Sequence, residues 1–349
     1  MQHIIILGAG VIGASVAYHL RGRARVTVIE PHGMAAGASS KGFGWINASF
    51  SETPAYHALR RAAMVAHAEL NMPETRWGGS LWWEDQGAAF DAQLALLRSL
   101  DYPVQVLDSV AFAALEPHVA NPPDRCLLAP TEGATDGAAL AQGLLAASGA
   151  VVMLGAAATL VQRGGRVVGI SCTDVQIAAD TVVVAAGAGS VDLLAPLGLT
   201  LPITAKPGLI LQTNPVPQIL NHLILTPGIH FRQAQDGRII AGEIFSGDGP
   251  GAARMATDPN GLADEMMALL RARVPKTALW LERLLLGRRP LPADGMPMIG
   301  PMPGYAGVHL AVMHSGVTLA PLVGHLLADE IMGQGAATLL ADFRPSRLM

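Results

Sequence analysis

Charge is scarce in this chain. Only 14% of its 349 residues are Asp, Glu, Lys or Arg, against about a quarter in an ordinary globular domain. Half of the residues, 51%, are hydrophobic. Such a chain can bury a large core, which excludes disorder as its main state. The 23 basic residues stand against 27 acidic ones, a net charge of −4. No basic stripe forms, and this argues against a nucleic acid partner. Cysteine is nearly absent, with Cys126 and Cys172 alone. Two thiols make one disulfide at most, so a disulfide scaffold, a zinc cluster and an iron–sulfur cluster are excluded. No metal is expected, and a reducing cytoplasm is the expected setting. Lysine is rare, at positions 41, 206 and 276 only. Long unbroken apolar runs are also missing. A membrane-spanning helix needs about 20 mostly apolar residues. The run 4–20 is interrupted by glycines and a histidine and has no basic leader, and 182–205 is broken by Asp192, Pro196 and Pro202. Neither is expected to be a signal peptide or a membrane span. The apolar excess then implies an α/β protein whose parallel strands are buried on both faces.

What is present has a clear order. Residues 3–7 form a short apolar run ending in glycine, 11–20 have helical spacing up to Gly22, and 25–29 are β-branched. This is a β–α–β unit. Residues 136–147 read as a helix with Asp136 as N-cap. Strands are expected at 151–154, 158–161 and 181–185, and a hairpin at 166–172 and 175–177. A strand at 308–312 and a helix at 319–332 close the chain. The stretches 51–135 and 201–285 show no such alternation. They carry helices near 58–70, 90–100 and 262–271 among strand patterns. At roughly 100–200 residues per domain, the expectation is a discontinuous nucleotide-binding domain of 1–50, 136–200 and 286–349. A second domain, 51–135 and 201–285, is inserted into it.

The sharpest motif is Gly8-Ala9-Gly10-Val11-Ile12-Gly13. It follows a strand and opens a helix, and Glu30 with Pro31 ends the next strand about twenty residues on. Gly8 permits the tight turn, Gly10 lets a pyrophosphate approach the backbone, and Gly13 lets helix and strand pack closely. The helix N-terminus offers free N–H groups and partial positive charge to phosphates. Glu30 can accept hydrogen bonds from ribose hydroxyls and would repel a 2′-phosphate. The fingerprint does not decide between FAD and NAD. Ala36-Gly37-Ala38-Ser39-Ser40-Lys41-Gly42 follows, with small and hydroxylated residues able to wrap a phosphate. The run Val182-Val183-Val184-Ala185-Ala186-Gly187 is a strand that ends in small side chains, which leaves room for a ligand in the crevice.

Together these segments resemble the D-amino acid oxidase-like family of FAD-dependent amine oxidoreductases, which includes glycine oxidase and sarcosine oxidase. Two C-terminal blocks extend the resemblance. Gly287-Arg288-Arg289-Pro290-Leu291-Pro292-Ala293-Asp294-Gly295-Met296-Pro297-Met298-Ile299-Gly300 is similar to the family's G-x-R-P-x-x-x-D-G-x-P-x-I-G. His314-Ser315-Gly316-Val317-Thr318-Leu319-Ala320-Pro321 is similar to its flavin-edge loop and helix. The resemblance implies an α/β fold, a Rossmann-like FAD-binding domain with an inserted α+β substrate domain on a mostly antiparallel sheet. It implies FAD held by Gly8, Ala9, Gly10, Val11, Ile12, Gly13, Glu30 and Pro31. Ser39, Ser40, Lys41 and Gly42 would meet the pyrophosphate and flavin edge, Ala158 the adenine, and Ala186 and Gly187 the cofactor's flank. His314, Ser315, Gly316, Val317 and Thr318 would lie at the flavin's pyrimidine end, where the following helix dipole stabilises negative charge on the reduced ring. The family's covalent linkages use a C-terminal cysteine or an N-terminal histidine. Neither stands at those places here, so the FAD is expected to be non-covalent.

The resemblance further implies oxidation of a C–N bond in a small amino or imino acid. Hydride leaves the carbon for flavin N5, and the imine product is hydrolysed. Arg289 matches the arginine that pairs with the substrate carboxylate, for which a planar, permanently charged fork is suited. Arg288 is expected to face away. His230 and Arg232 share one side of a strand, and His230, with Glu243 and Trp45, is a candidate for the substrate pocket; Phe43 and Asn47 are further wall candidates. No catalytic base is assigned. The electron acceptor stays open between oxygen and a carrier, with peripheral membrane attachment if the carrier is a quinone. Homo-oligomers or partner subunits of a dehydrogenase complex are compatible with this. The alternatives are an NAD-linked dehydrogenase, or an FAD-binding subunit of a multi-subunit amino acid dehydrogenase.

Overall fold

The computed structural model describes residues 1–51, 53–173, 175–242 and 250–349. Glu243, a substrate candidate, lies outside the described residues. The first strand, His3–Leu7, is buried along its whole length. It pairs in parallel with Arg25–Glu30 on one side and Thr181–Val184 on the other. A central strand with ladders on both edges, helices packed against Ile4 and Ile6 and a small antiparallel sheet against Ile5 and Leu7, must be apolar throughout, which accounts for its sequence. The complete sheet has six strands. Its order is Met298–Pro301, Val308–Val312, Thr181–Val184, His3–Leu7, Arg25–Glu30, Val151–Leu154. All neighbours are parallel except Met298–Pro301 with Val308–Val312. A three-stranded antiparallel sheet of Ala158–Arg163, Arg166–Cys172 and Val175–Ala178 stands beside it.

The second large sheet has eight strands: Leu281–Pro292, Ile203–Pro215, Arg238–Gly242, Ile229–Gln233, Leu223–Thr226, Ser80–Trp82, Arg125–Ala129 and Gln105–Asp108. Its pairings are antiparallel except Leu223–Thr226 with Ser80–Trp82. The mixed α/β architecture matches the expected one. One detail differs. Leu281–Pro292 runs straight through residue 286, the expected domain boundary, and stays paired with Ile203–Pro215 from Leu281 to Pro292.

Helix starts follow the capping chemistry. The Asp136 carboxylate accepts from the amides of Ala138 and Ala139, opening Gly137–Ser148. Thr53 caps Pro54–Leu70, whose first residue is proline. The last helix, expected from 319, begins at Gly316 and ends at Ile331. Pro321 explains the misplaced start. Proline is favoured in a first turn, yet here it sits inside the helix. This helix crosses Val11–His19 at close range. Ser15 Oγ–H donates to the Ala320 carbonyl at 2.6 Å, and a Cβ on Gly324 would stand 2.1 Å from Ser15 Oγ. No helix among the described residues is long and apolar enough to cross a membrane.

Candidate active site

One cavity of about 1130 Å³ runs between the two large sheets. At one end lies the glycine turn. Gly8 has φ +110°, and a Cβ there would meet the Ala185 carbonyl oxygen at 2.5 Å; only glycine fits. A Cβ on Gly13 would stand 2.0 Å from the Gly8 oxygen, so Gly13 serves the packing of helix on strand. Glu30 lines the cavity, its carboxylate fixed by the amides of Ala9 at 3.1 Å and His32 at 3.0 Å. Each oxygen keeps a lone pair for a further donor. Ser39 Oγ accepts from the Val11 amide at 3.0 Å. The missing side chain of Gly10 leaves space bounded by that same hydroxyl, 3.2 Å from an ideal Cβ.

Of the residues expected at the cofactor, Gly8, Val11, Ile12, Glu30, Pro31, Ser39, Lys41, Gly42, Ala158, Ala186, Gly187 and the whole of His314 to Thr318 line this cavity. Ala9, Gly10, Gly13 and Ser40 do not. Ala9 is buried and turned to Glu30. Gly10 lies behind Ser39, Gly13 packs inward, and Ser40 Oγ is turned to the Gly37 carbonyl, 3.5 Å away. At the other end is the start of helix Gly316–Ile331. Its N-cap, Ser315, makes no side-chain cap, so first-turn amides stay available. His67 Nε2–H donates to the Val317 carbonyl at 2.8 Å and Thr318 Oγ1 donates to the Trp45 carbonyl at 3.0 Å, bracing this turn from two elements.

The second sheet supplies the other wall. Arg289, half-buried, lies opposite Lys206 in the strand register. Gly208 leaves room for it: a Cβ there would approach Arg289 Nε to 3.1 Å. Its Nη2 donates to the Pro207 carbonyl at 3.0 Å, and its Nη1 faces His314 Nε2 at 3.4 Å. Burial first, then the charges of Arg289, Arg60 and Lys206, push His314 down to about 4. The imidazole is therefore neutral near pH 7 and can accept from the guanidinium. Arg288, expected to face away, is solvent-exposed yet reaches the rim of the same cavity.

His230 lines the cavity, whereas Arg232 does not. Arg232 is buried beneath, donating from Nε to the Phe43 carbonyl at 2.6 Å and from Nη2 to the Thr135 carbonyl at 3.3 Å. Burial lowers its guanidinium to about 10. It braces the loop that carries Phe43, Trp45 and Asn47, all three of which line the cavity. Trp45 Nε1–H donates to Glu132 at 2.8 Å. The same carboxylate accepts from Ser80 at 2.5 Å and Tyr102 at 2.7 Å, and its burial holds it above the usual carboxylate range.

The cavity wall also includes residues that the sequence does not mark, among them Arg60, Glu84, Asp85, Phe50 and Trp82. Arg60 sits on Pro54–Leu70, buried, with Nε donating to the Asn47 carbonyl at 3.0 Å and its other nitrogens bonded to Asn47 Oδ1 and the Phe50 carbonyl. Of the two cysteines, both buried with free thiols, neither lines the cavity. Burial pushes the Cys126 thiol up to about 12. No group of three metal-ligating side chains stands together among the described residues.

Two helix N-termini without side-chain caps from their own N-cap residues, a fixed acid at the end of the second strand, and small residues at the sheet edge meet on one elongated cavity. They define a dinucleotide-binding protein that faces a second, guanidinium-bearing wall, and the donor set fits FAD. The chain belongs to the DAO family of FAD dependent oxidoreductases, whose family model matches residues 3–330. FAD is its cofactor, and the NAD alternative falls. The chain is 27% identical over 370 residues to the glycine oxidase of Geobacillus kaustophilus, across 99% of this chain and 96% of that one. A crystal structure of glycine oxidase from that organism shares the fold with a TM-score of 0.85 at 22% identity, covering 100% of both chains. The D-amino acid dehydrogenase of Cereibacter sphaeroides is 28% identical over 426 residues, 98% of this chain and 94% of that one. The match to the glycine oxidase of Pseudomonas aeruginosa is 33% over 190 residues, 52% of this chain and 50% of that protein. The matches span about half the length of the two Pseudomonas glycine oxidases, from P. aeruginosa and P. putida.

Proposed function

We propose that the protein is an FAD-dependent oxidoreductase that oxidises the C–N bond of a small amino or imino acid. The observation that carries this is Arg289. Its guanidinium stands in the wall of the cavity that takes the cofactor, anchored by the Pro207 carbonyl and facing a neutral imidazole. A cavity wall that binds a carboxylate away from water must supply a fixed positive charge, or desolvation of the anion goes uncompensated. The glycine oxidase and D-amino acid dehydrogenase relatives support the same substrate class.

FAD, when bound, supplies the two-electron acceptor. Glu30 and Ser39, at the N-terminus of helix Val11–His19, would hold its ADP and pyrophosphate portions, and the amides of Gly316 to Thr318 would take the polar edge of the ring. Arg289 orients the substrate through its carboxylate. Trp45, Trp82 and Phe50 exclude water from the space beside it. Holding the reacting carbon in one place converts an encounter into an intramolecular event, the larger part of the rate such a site can supply. On this reading 1–50, 136–200 and 286–349 hold the cofactor, 51–135 and 201–285 shape the substrate space, and Arg289, Trp45 and Phe50 reach into that space from the cofactor segments. With neither cysteine on the cavity wall, and Ser39-Ser40 where the family's linking histidine would stand, the FAD is read as non-covalently held.

The test is anaerobic mixing of the holoenzyme with a panel of D-, L- and N-alkyl amino acids. Loss of the flavin's visible absorbance with at least one of them is expected. Full absorbance with every one of them would overturn the proposal.

A further inference from the structure

Building on the amino or imino acid reading, we propose that the substrate carries a second, cationic group and that Glu84 receives it. The preferred substrate is then a basic amino acid, with an ammonium or guanidinium side chain. This adds to the cavity a pole opposite in sign to Arg289.

The pole is assembled by the sheet. Ser80–Trp82 lies parallel to Leu223–Thr226, which is antiparallel to Ile229–Gln233. The Trp83 amide donates to the Leu225 carbonyl at 3.0 Å, and Leu225 is paired with His230. The next residue, Glu84, is thereby delivered to His230. His230, 2% exposed, donates from Nε2 to Glu84 Oε2 at 2.8 Å. A carboxylate oxygen can only accept, so this contact fixes the imidazole proton on Nε2. Among the described residues, Glu84 Oε1 receives no hydrogen bond, and no Lys or Arg stands within ion-pair distance of Glu84.

A half-buried carboxylate on a cavity wall carries a desolvation cost that an incoming cation offsets. The neighbouring walls favour such a cation. Phe50 lies 5.7 Å from Trp45 and 5.7 Å from Trp82, and all three line the cavity with Glu84. Aromatic faces attract ammonium and guanidinium groups. A ligand whose carboxylate sits on Arg289 thus meets an anion and aromatic faces elsewhere in the cavity. Glycine leaves that pole unmatched, and a dicarboxylate sets like charge against it. A basic amino acid satisfies both poles, and specificity of this kind comes as much from the unmatched competitor as from the match.

The holoenzyme is titrated with 4-guanidinobutyrate and with hexanoate, carboxylates that have no amine to oxidise, and binding is read from the shift in flavin absorbance. Turnover is compared for lysine, ornithine and arginine against norleucine and glutamate, in both hands. Tighter binding of 4-guanidinobutyrate is expected, with lysine above norleucine in kcat/KM by about 30-fold, the low end for one desolvated charge pair. Glu84→Gln keeps an acceptor for His230 and removes the charge, so both preferences should collapse towards parity. A holoenzyme that favours norleucine and hexanoate overturns the proposal and leaves the amino acid reading standing, as does a Glu84→Gln enzyme that retains the full preference. Absence of bleaching by every amine overturns both.

Discussion

Arg289→Met tests the carboxylate site with little else disturbed. Methionine keeps most of the stem on strand Leu281–Pro292 and deletes the charge. Among the described residues, the donation to the Pro207 carbonyl at 3.0 Å and the approach to His314 at 3.4 Å go with it. A hydrogen bond from a charged group is worth about 1.5–3 kcal/mol net, so the fold should lose only a few degrees in Tm. The effect on substrate is of another order. Losing one partner of a buried, hydrogen-bonded charge pair costs about 2–5 kcal/mol. That is roughly 30- to several-thousand-fold in kcat/KM. Arg289→Lys should recover only part, because an ammonium cannot make the planar two-pronged contact. Arg288→Met, at an exposed position, should be mild, since screening reduces what an exposed charge contributes. The assay is kcat/KM for the best amino acid beside the flavin-to-protein absorbance ratio for each variant. Full activity in Arg289→Met would refute the reasoning. So would collapse in Arg288→Met with Arg289→Met unharmed, and loss of flavin along with activity would show that Arg289 holds the cofactor region together instead.

Other expectations follow from the same geometry. Gly13→Ala puts a Cβ 2.0 Å from the Gly8 carbonyl oxygen and should cost about 1–3 kcal/mol of stability. At Gly10 an added Cβ meets only the Ser39 hydroxyl, 3.2 Å away, and Gly10→Val should lower FAD content with a smaller change in apoprotein Tm; equal Tm losses would contradict this assignment. Acid or heat denaturation should leave the yellow colour in the supernatant, and colour in the pellet would mean a covalent link. His19, His67, His309 and His314 are each held at about 4 against an ordinary 6.5, with burial the first cause. Between those values the unfolded chain binds protons that the folded chain does not. Stability present above 6.5 is therefore lost as pH falls towards 4, and thermal melts at about pH 7.5 and about pH 5 should show the lower Tm at the acid value, whereas no difference would count against neutral buried histidines.

Local chemistry made the cofactor end legible in the sequence. Gly8, Gly10, Gly13 and Glu30 occur within one β–α–β unit, where each residue's neighbours in space are also near in sequence. The substrate wall is different. Arg60 lies on an amphipathic helix where an arginine looks like a solvated residue; what buries it is Asn47 and the Phe50 carbonyl, in a loop that has no regular period. Glu84 follows a three-residue strand whose partner lies about 140 residues away in the chain, and nothing local marks it. Arg232 was visible as a neighbour of His230, but its role as a brace for the Phe43 loop depends on a bond across 189 positions. Strand Leu281–Pro292 crossed the expected boundary because its motif resembled the cofactor blocks, while its ladder belongs to the other sheet. The last helix begins three residues before the start its sequence suggests, because Pro321, a residue suited to a first turn, sits inside it.

The strand order of the six-stranded sheet has a consequence for how the chain is made. Thr181–Val184 lies between His3–Leu7 and Val308–Val312, so its second partner leaves the ribosome more than a hundred residues after it does. Throughout that interval a sheet of His3–Leu7, Arg25–Glu30, Val151–Leu154 and Thr181–Val184 ends in the fully apolar edge of Val182, Val183 and Val184. An open edge of that composition is a template for pairing with other chains. The helix turn that completes the flavin end, Gly316 to Thr318, emerges later still. The nascent protein therefore passes through a long stage in which it has its nucleotide turn but neither a closed sheet nor a complete cofactor cavity. Chains that stop before Val308 should accumulate as aggregates, and FAD acts on this protein as a ligand of the finished chain.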